Sequence, residues 1–248
     1  MVNILIADDN IYYAKTLMDI INNSMKGIRV VNITIDGQET RDRLNKANDI
    51  DIVLLDLKMP IISGIEIIKN LPEDKKDYYK NSIIVISGET EMIEKIRDES
   101  VVYSYIHKMS SMTDILEKVN ELVRYKEKQK NRYQVKEAIK EELQELNYNF
   151  SHKGTVYLVD AIYLIYTKET EDELNLKKNV YPILSKKYNR PIYSIKSDIV
   201  KATNFMDIAC DKNKKKEYFS FYDNMKPTVK VVIYTILNNI HKKSIKFK

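Results

Sequence analysis

Asp56 follows the apolar run Ile52-Val53-Leu54-Leu55 and precedes Leu57-Lys58-Met59-Pro60 and then Gly64. A carboxylate that ends a buried strand and faces a tight loop stands where open α/β sheets bind phosphate and metal, outside the carboxyl ends of the strands. Three further strand ends deliver complementary groups: Asp8-Asp9 after a strand over 2–7, Ser87-Gly88 after one over 82–87, and Lys108 after one over 101–107. The acids offer hard oxygen ligands suited to Mg²⁺, which takes one or two carboxylates from a protein and keeps several waters. An Asp carboxylate can then accept a phosphoryl group while metal, ammonium and hydroxyl neutralise the transferring oxygens. Taken singly, an Asp-Asp pair is usually a cap or turn and Ser-Gly a common turn. Only their joint order and spacing carry the chemistry.

The elements that must position these groups alternate between short apolar strands and helical periods, which implies βαβ crossovers and a parallel sheet. The pattern predicts strands over 2–7, 28–34, 51–55, 82–87 and 101–107, and helices over 11–25, 37–47, 62–71, 90–98 and 111–124. Val30, Val31, Ile33 and Ile35 are expected in the core of the second strand. The fold class of this half is a doubly wound, five-stranded parallel α/β sheet.

From Tyr125 to Gln134 no aliphatic residue appears, so a buried face cannot continue through it. The stretch lacks Gly and Pro and is expected as a linker helix over 126–145, between a domain at 1–125 and another at 146–248. Val135, Ile139, Leu143 and Leu146 recur at helical spacing, with Lys140, Glu141 and Glu142 on the wet side. A short dimerising coil is the alternative, although the heptads do not persist.

The second half reads as almost wholly helical. One helix over 154–166 has Tyr157, Leu158, Ala161, Ile162 and Ile165 as its core stripe, and another over 176–188 has Val180, Ile183, Leu184 and Tyr188. After the break Asn189-Arg190-Pro191-Ile192, a helix over 194–209 directs Ile195, Ile199, Ala202 and Met206 inward. Its outer face then carries Ser194, Lys196, Ser197, Val200, Lys201 and Asn204. Two helices joined this way resemble a helix-turn-helix, whose second helix enters the DNA major groove. The pattern alone fits a solvated surface helix equally well. The basic run Lys212, Lys214, Lys215 and Lys216 is either a phosphate-contacting loop or a solvated one.

Charge separates the halves. Residues 1–125 carry 16 Lys and Arg against 21 Asp and Glu, a net of −5, whereas residues 126–248 carry 25 against 15, a net of +10. The basic half suggests a polyanionic partner, nucleic acid before an anionic membrane. The single Cys210 allows no intrachain disulfide, and His107, His152 and His241 have no metal-motif spacing. No apolar stretch approaches the ~18 residues that span a bilayer, and the chain opens on a strand rather than a signal core. A cytoplasmic protein without membrane attachment is expected. The five glycines form no phosphate-cradling or dinucleotide-binding fingerprint.

In its first half the chain resembles the receiver domain of two-component response regulators, which has a flavodoxin-like fold. The resemblance implies Asp56 as phosphoacceptor and Mg²⁺ held by Asp9 and Asp56, with Asp8 acting through water and the Lys58 backbone carbonyl completing the shell. It further implies that Ser87 bonds the phosphoryl group, that Lys108 pairs with it, and that Tyr105 is the aromatic that swings inward when the hydroxyl moves toward phosphate. Met109 stands where that family has Pro after the Lys.

His152-Lys153-Gly154, Tyr157-Leu158, Ala161-Ile162, Tyr166, Val180-Tyr181-Pro182, Lys186-Lys187-Tyr188-Asn189 and Lys226-Pro227-Thr228 make residues 146–243 similar to the C-terminal DNA-binding domain of the stage-zero sporulation master transcription factor family. That family reads bases with an Arg-x-Glu-Arg pattern where this chain has Ser194-Ile195-Lys196-Ser197. Arg reads guanine with two parallel donors and Ser cannot, so the groove carries over without the target site. The expected protein is a regulator rather than an enzyme: a transcription factor phosphorylated on Asp56 by a histidine kinase or phosphotransfer protein, binding duplex DNA through Ser194, Lys196, Ser197 and Lys201 and dimerising when phosphorylated. The alternatives are a DNA binder with a silent receiver and a phosphotransfer module with a protein partner.

Overall fold

A computed structural model describes residues 1–88, 90–167, 175–220 and 226–245. Glu89 in the first expected domain, and 168–174, 221–225 and 246–248 in the second, lie outside the described residues. The chain divides into two compact units, Met1–Lys128 and Gln129–Lys248.

The first unit contains five parallel strands, β1 (Val2–Ala7), β2 (Ile28–Thr34), β3 (Ile52–Leu55), β4 (Ile83–Ser87) and β5 (Val102–His107), in the order β2-β1-β3-β4-β5. Successive side chains of a strand point to opposite faces, and the core splits accordingly. Leu5, Val53, Leu55 and Val85 pack on one side with Leu44, Ile67 and Ile68, while Ile4, Ile6, Leu54 and Ile84 pack on the other with Leu17, Ile21, Ile115 and Val119. Every position of β3 and β4 is buried, as expected of parallel strands covered on both faces. The chain leaves β1 for β2 on one side and then crosses to β3 on the other. That reversal opens a crevice at the carboxyl ends of β1 and β3, where Ala7 pairs with Leu55 and sets the residues after them side by side.

The helices are α1 (Ile11–Ser24), α2 (Gly37–Lys46), α3 (Gly64–Lys69), α4 (Glu73–Tyr78), α5 (Thr90–Ile93) and α6 (Met112–Glu145), with a 3₁₀ turn at Glu94–Ile96. The predicted helix 62–71 is shorter, because a capping box between Ser63 and Glu66 starts it late; α4, which the pattern did not reveal, follows Pro72. Helix 111–124 does not stop but runs through the linker as α6, whose interior offers neither Gly nor Pro to end it. Ile35 is exposed beyond the end of β2 rather than in the core.

All described elements of the second unit are helical: the end of α6, then α7 (Lys153–Tyr166), a π-helical turn (Leu176–Val180), α8 (Tyr181–Tyr188), α9 (Ile192–Ala209), α10 (Lys212–Tyr218) and α11 (Val229–Ile245). The stripes Ile139-Leu143-Leu146, Leu158-Ala161-Ile162 and Ile195-Ile199-Ala202-Met206 meet in one core. A Cβ on Gly154 would lie 1.9 Å from the Asp198 carbonyl oxygen, so α7 and α9 cross at a distance that only glycine permits.

Three expectations are corrected here. The helix 176–188 is a π turn followed by α8, because Pro182 has no N–H with which to continue the ladder. Ile183, assigned to its core stripe, is exposed. Glu142, placed on the wet side, is buried, and its carboxylate accepts from Asn239 Nδ2 at 2.9 Å and Lys243 Nζ at 2.5 Å. Those partners, on α11, are too distant in sequence for a periodicity argument to reach.

Candidate functional site

Four strand ends converge at the crevice. Asp56 continues from β3 with its N–H donated to the Ala7 carbonyl at 2.8 Å, and Asp8 continues from β1 with its N–H donated to Thr34 at 3.0 Å. Asp56 is 5% exposed and Asp8 2%, whereas Asp9 is open to solvent. Ser87 ends β4 fully buried, and its carbonyl accepts from the Lys108 N–H at 3.0 Å, which ties the ends of β4 and β5 together.

Lys108 Nζ then reaches across to Asp56 Oδ2 at 2.7 Å and Asp8 Oδ2 at 2.8 Å. The second oxygens are held locally: Asn10 N–H donates to Asp8 Oδ1 at 2.9 Å and Lys58 N–H to Asp56 Oδ1 at 3.2 Å. Two glycines allow the surrounding loop its close packing. A Cβ on Gly64 would fall 2.4 Å from the Asp56 carbonyl oxygen, and one on Gly37 would fall 1.7 Å from that of Ile62.

Burial pushes the Asp8 carboxyl above its ordinary range, an effect that hydrogen bonds from Lys108 and Asn10 offset only in part. Burial also works against the charge on Lys108, but its hydrogen bonds to Asp56 and Asp8 outweigh this and hold the ammonium pKa up. One ammonium therefore serves two buried carboxylates, with a third beside them. Oxygens of Asp8, Asp9 and Asp56 lie within 4.8 Å of one another. Three carboxylates this close offer the hard oxygen ligands that fit Mg²⁺.

At Met109, where the receiver family has Pro, the turn after Lys108 is closed by hydrogen bonds. The Met109 N–H donates to His107 Nδ1 at 3.1 Å, a bond that proline could not make, and Ser110 N–H closes the turn on the His107 carbonyl at 2.8 Å. Tyr105 points outward from β5, 43% exposed. Sequence reasoning missed Tyr13, whose ring centroid lies 5.3 Å from Lys108 Nζ. Its place in the first turn of α1, directly after the acidic pair, was the available signal.

In the second unit α8 ends on Asn189 at φ +48°, and α9 starts after Pro191, two residues earlier than the predicted 194. Lys196, Ser197 and Lys201 are exposed on α9 and Ser194 is half-buried. Tyr193, 75% exposed, and Ile208, 84% exposed, also face outward and were not anticipated. Lys153, Arg190 and Lys201 line a cavity of about 370 Å³ beside α9 with His152 and Phe205. Lys214 and Lys215 of the basic run are paired, with Glu145 at 2.6 Å and Asp207 at 3.1 Å.

Residues 4–120 match the family described as the response regulator receiver domain. The chain is similar to a protein-glutamate methylesterase/protein-glutamine glutaminase of Methanosarcina mazei, 27% identical over 116 residues that make up 47% of this chain and 30% of that protein. It spans under a third of the length of the curated relatives it matches. Among solved structures, the receiver domain of Francisella response regulator 1452 is 27% identical, covering 51% of this chain and 99% of that one at a TM-score of 0.43. The receiver domain of AraT from Geobacillus stearothermophilus is 25% identical, with 52% and 99% covered and a TM-score of 0.45. No helix among the described residues is long and apolar enough to cross a membrane.

Proposed function

Residues 4–120 being a response regulator receiver domain, we propose that Asp56 accepts a phosphoryl group and that its phosphorylation controls duplex-DNA binding by the helical unit. The observation that carries the first part is Lys108 bridging Asp56 and Asp8 at 2.7 and 2.8 Å in the β1/β3 crevice. An Asp56 oxygen attacks the phosphorus of a phosphohistidine on a kinase or phosphotransfer protein; the O–P bond forms as the P–N bond breaks. Mg²⁺, held by Asp9, Asp56 and the Lys58 carbonyl with Asp8 acting through water, would neutralise charge on the phosphoryl oxygens. Lys108 exchanges its carboxylate partner for a phosphoryl oxygen, Ser87 donates its hydroxyl to another, and Tyr105 moves inward. The altered receiver face then frees the helical unit or favours a homodimer.

The DNA reading rests on the +10 charge of residues 126–248, on the α8–α9 pair and on the resemblance to the sporulation regulator's DNA-binding domain. Lys196 and Lys201 meet phosphates, and Ser194 and Ser197 lie at the groove. One observation favours a protein partner instead: Tyr193 and Ile208 give the outer face of α9 more apolar surface than a DNA-reading helix needs.

The test is a genome-wide DNA-binding map made with and without acetyl phosphate and Mg²⁺. Wild type is expected to gain one acid-labile phosphate and Asp56→Asn none. Lys196→Ala and Lys201→Ala should each weaken binding evenly across sequences and reduce the salt slope by about 1. Equal phosphate on wild type and Asp56→Asn rejects the acceptor. Absence of duplex binding at low salt rejects the DNA reading in favour of the protein partner.

A further inference from the structure

Lys108 carries its charge on a flexible four-carbon stem with freely rotating donors. Two carboxylates are enough to attract such a group but not to fix its direction. The structure supplies a third contact. Asp8 Oδ1 accepts from Asn10 N–H at 2.9 Å, Asn10 Oδ1 accepts from Tyr13 N–H at 3.1 Å as the cap of α1, the Tyr13 ring lies 5.3 Å from Lys108 Nζ, and Lys108 Nζ returns to Asp8 Oδ2 at 2.8 Å. These four interactions form a closed circuit from the end of β1 through the first turn of α1 and back to Lys108. The helix start that carries the ring is thereby tied to Asp8, the same residue that Lys108 binds.

Resting on the acceptor reading of Asp56, we propose that Tyr13 is a positioning residue of this site, its ring holding the Lys108 ammonium in the bridging place from which it meets the phosphoryl oxygens. An aromatic face attracts a cation through its quadrupole, and the attraction strengthens where water is excluded. The phenol takes no part in this. Its hydroxyl is buried and has no hydrogen-bond partner among the described residues, so the ring accounts for the contact, and phenylalanine should serve in its place.

The experiment uses the full chain as wild type, Tyr13→Phe, Tyr13→Leu, Lys108→Met and the double variant Tyr13→Leu/Lys108→Met. Phosphorylation by acetyl phosphate with Mg²⁺ should proceed in Tyr13→Phe at the wild-type rate and in Tyr13→Leu roughly two- to thirtyfold more slowly. In the Lys108→Met background, already slow, Tyr13→Leu should add nothing. A second readout needs neither metal nor phosphate: acylation of Lys108 by a small water-soluble reagent, followed by mass spectrometry, should be faster in Tyr13→Leu than in wild type or Tyr13→Phe. Unchanged Lys108 labelling in Tyr13→Leu overturns the proposal. So does a Phe variant that behaves like Leu, or a Leu effect of equal size with and without Lys108. A wild type that takes no phosphate while the labelling difference persists overturns the acceptor reading and leaves Tyr13 as the residue that aims Lys108.

Discussion

Each unit buries one aspartate to the same depth and pairs it with lysine, yet the donors are arranged differently. Asp56 in the receiver and Asp160 in the helical unit are both 5% exposed. Asp56 shares the Lys108 ammonium with Asp8. Asp160 receives Lys136, Lys187 and the Tyr188 hydroxyl, the last at 2.6 Å. Burial pushes the Asp160 carboxyl up, but its three donors outweigh that and hold it below the ordinary carboxylate range, whereas Asp8 stays above it. Depth of burial therefore does not separate the proposed phosphoacceptor from a structural carboxylate. The arrangement of donors differs instead: the Lys108 ammonium is shared between Asp56 and Asp8, with Asp9 beside them, whereas Lys136, Lys187 and the Tyr188 hydroxyl converge on the single Asp160 carboxylate and pin α6, α7 and α8 together.

The largest expected effects test that contrast directly. Asp160→Asn leaves Lys136 and Lys187 clustered without a counter-charge and should destabilise the helical unit by about 3 kcal/mol, near the low end for a broken buried pair because Lys187 can reach water. Urea unfolding, with hydrogen exchange to assign the loss to α7 and α8, measures it. Phosphorylation on Asp56 should be untouched. Asp56→Asn should do the reverse, abolishing phosphorylation while hydrogen exchange in β1 and β3 stays as slow as in wild type, since Lys108 keeps Asp8. Should Asp56→Asn loosen the sheet, or Asp160→Asn leave α7 protected, the contrast between the two donor arrangements fails.

Much of the receiver site was legible because a parallel sheet puts its chemistry at strand ends, and strand ends show in sequence as a polar residue after an apolar run. Asp8, Asp56, Ser87 and Lys108 announced themselves that way. Tyr13 did not, since an aromatic at a helix start reads as core. In the second unit periodicity located Ile195, Ile199, Ala202 and Met206 correctly. It could not locate Asp160, which sits inside an apolar stripe and is explained only by Lys136, Lys187 and Tyr188 arriving from 24 to 28 residues away. It misplaced Glu142 for the same reason. Local pattern predicts which face is buried, whereas the pairing of a buried charge is a property of the tertiary fold.

A smaller effect appears with pH. The folded pKa of Asp160 is depressed, so its contribution to stability is complete above the unfolded value of about 3.8 and is lost as pH falls through the folded one. The stability gap between wild type and Asp160→Asn should therefore be constant from neutral pH to about pH 4 and shrink below it. Urea midpoints for both proteins at a series of acidic pH values measure the gap. A gap that begins to close well above pH 4 would mean that Asp160 titrates as Asp8 does in the receiver.

The smallest effect concerns Met109. Replacing it with proline removes one exposed N–H and its bond to His107 Nδ1, a net loss of about 1 kcal/mol at most. Lys108 is held at both ends by other means, its N–H on the Ser87 carbonyl and its Nζ on Asp8 and Asp56. The rate of phosphorylation in Met109→Pro should then stay within about fivefold of wild type, the equivalent of that one bond, and the helical unit should be unchanged. A larger loss would show that the turn aims Lys108. A change confined to about fivefold places the aim in the contacts that Lys108 Nζ makes with Asp8, Asp56 and the Tyr13 ring, none of which the turn supplies.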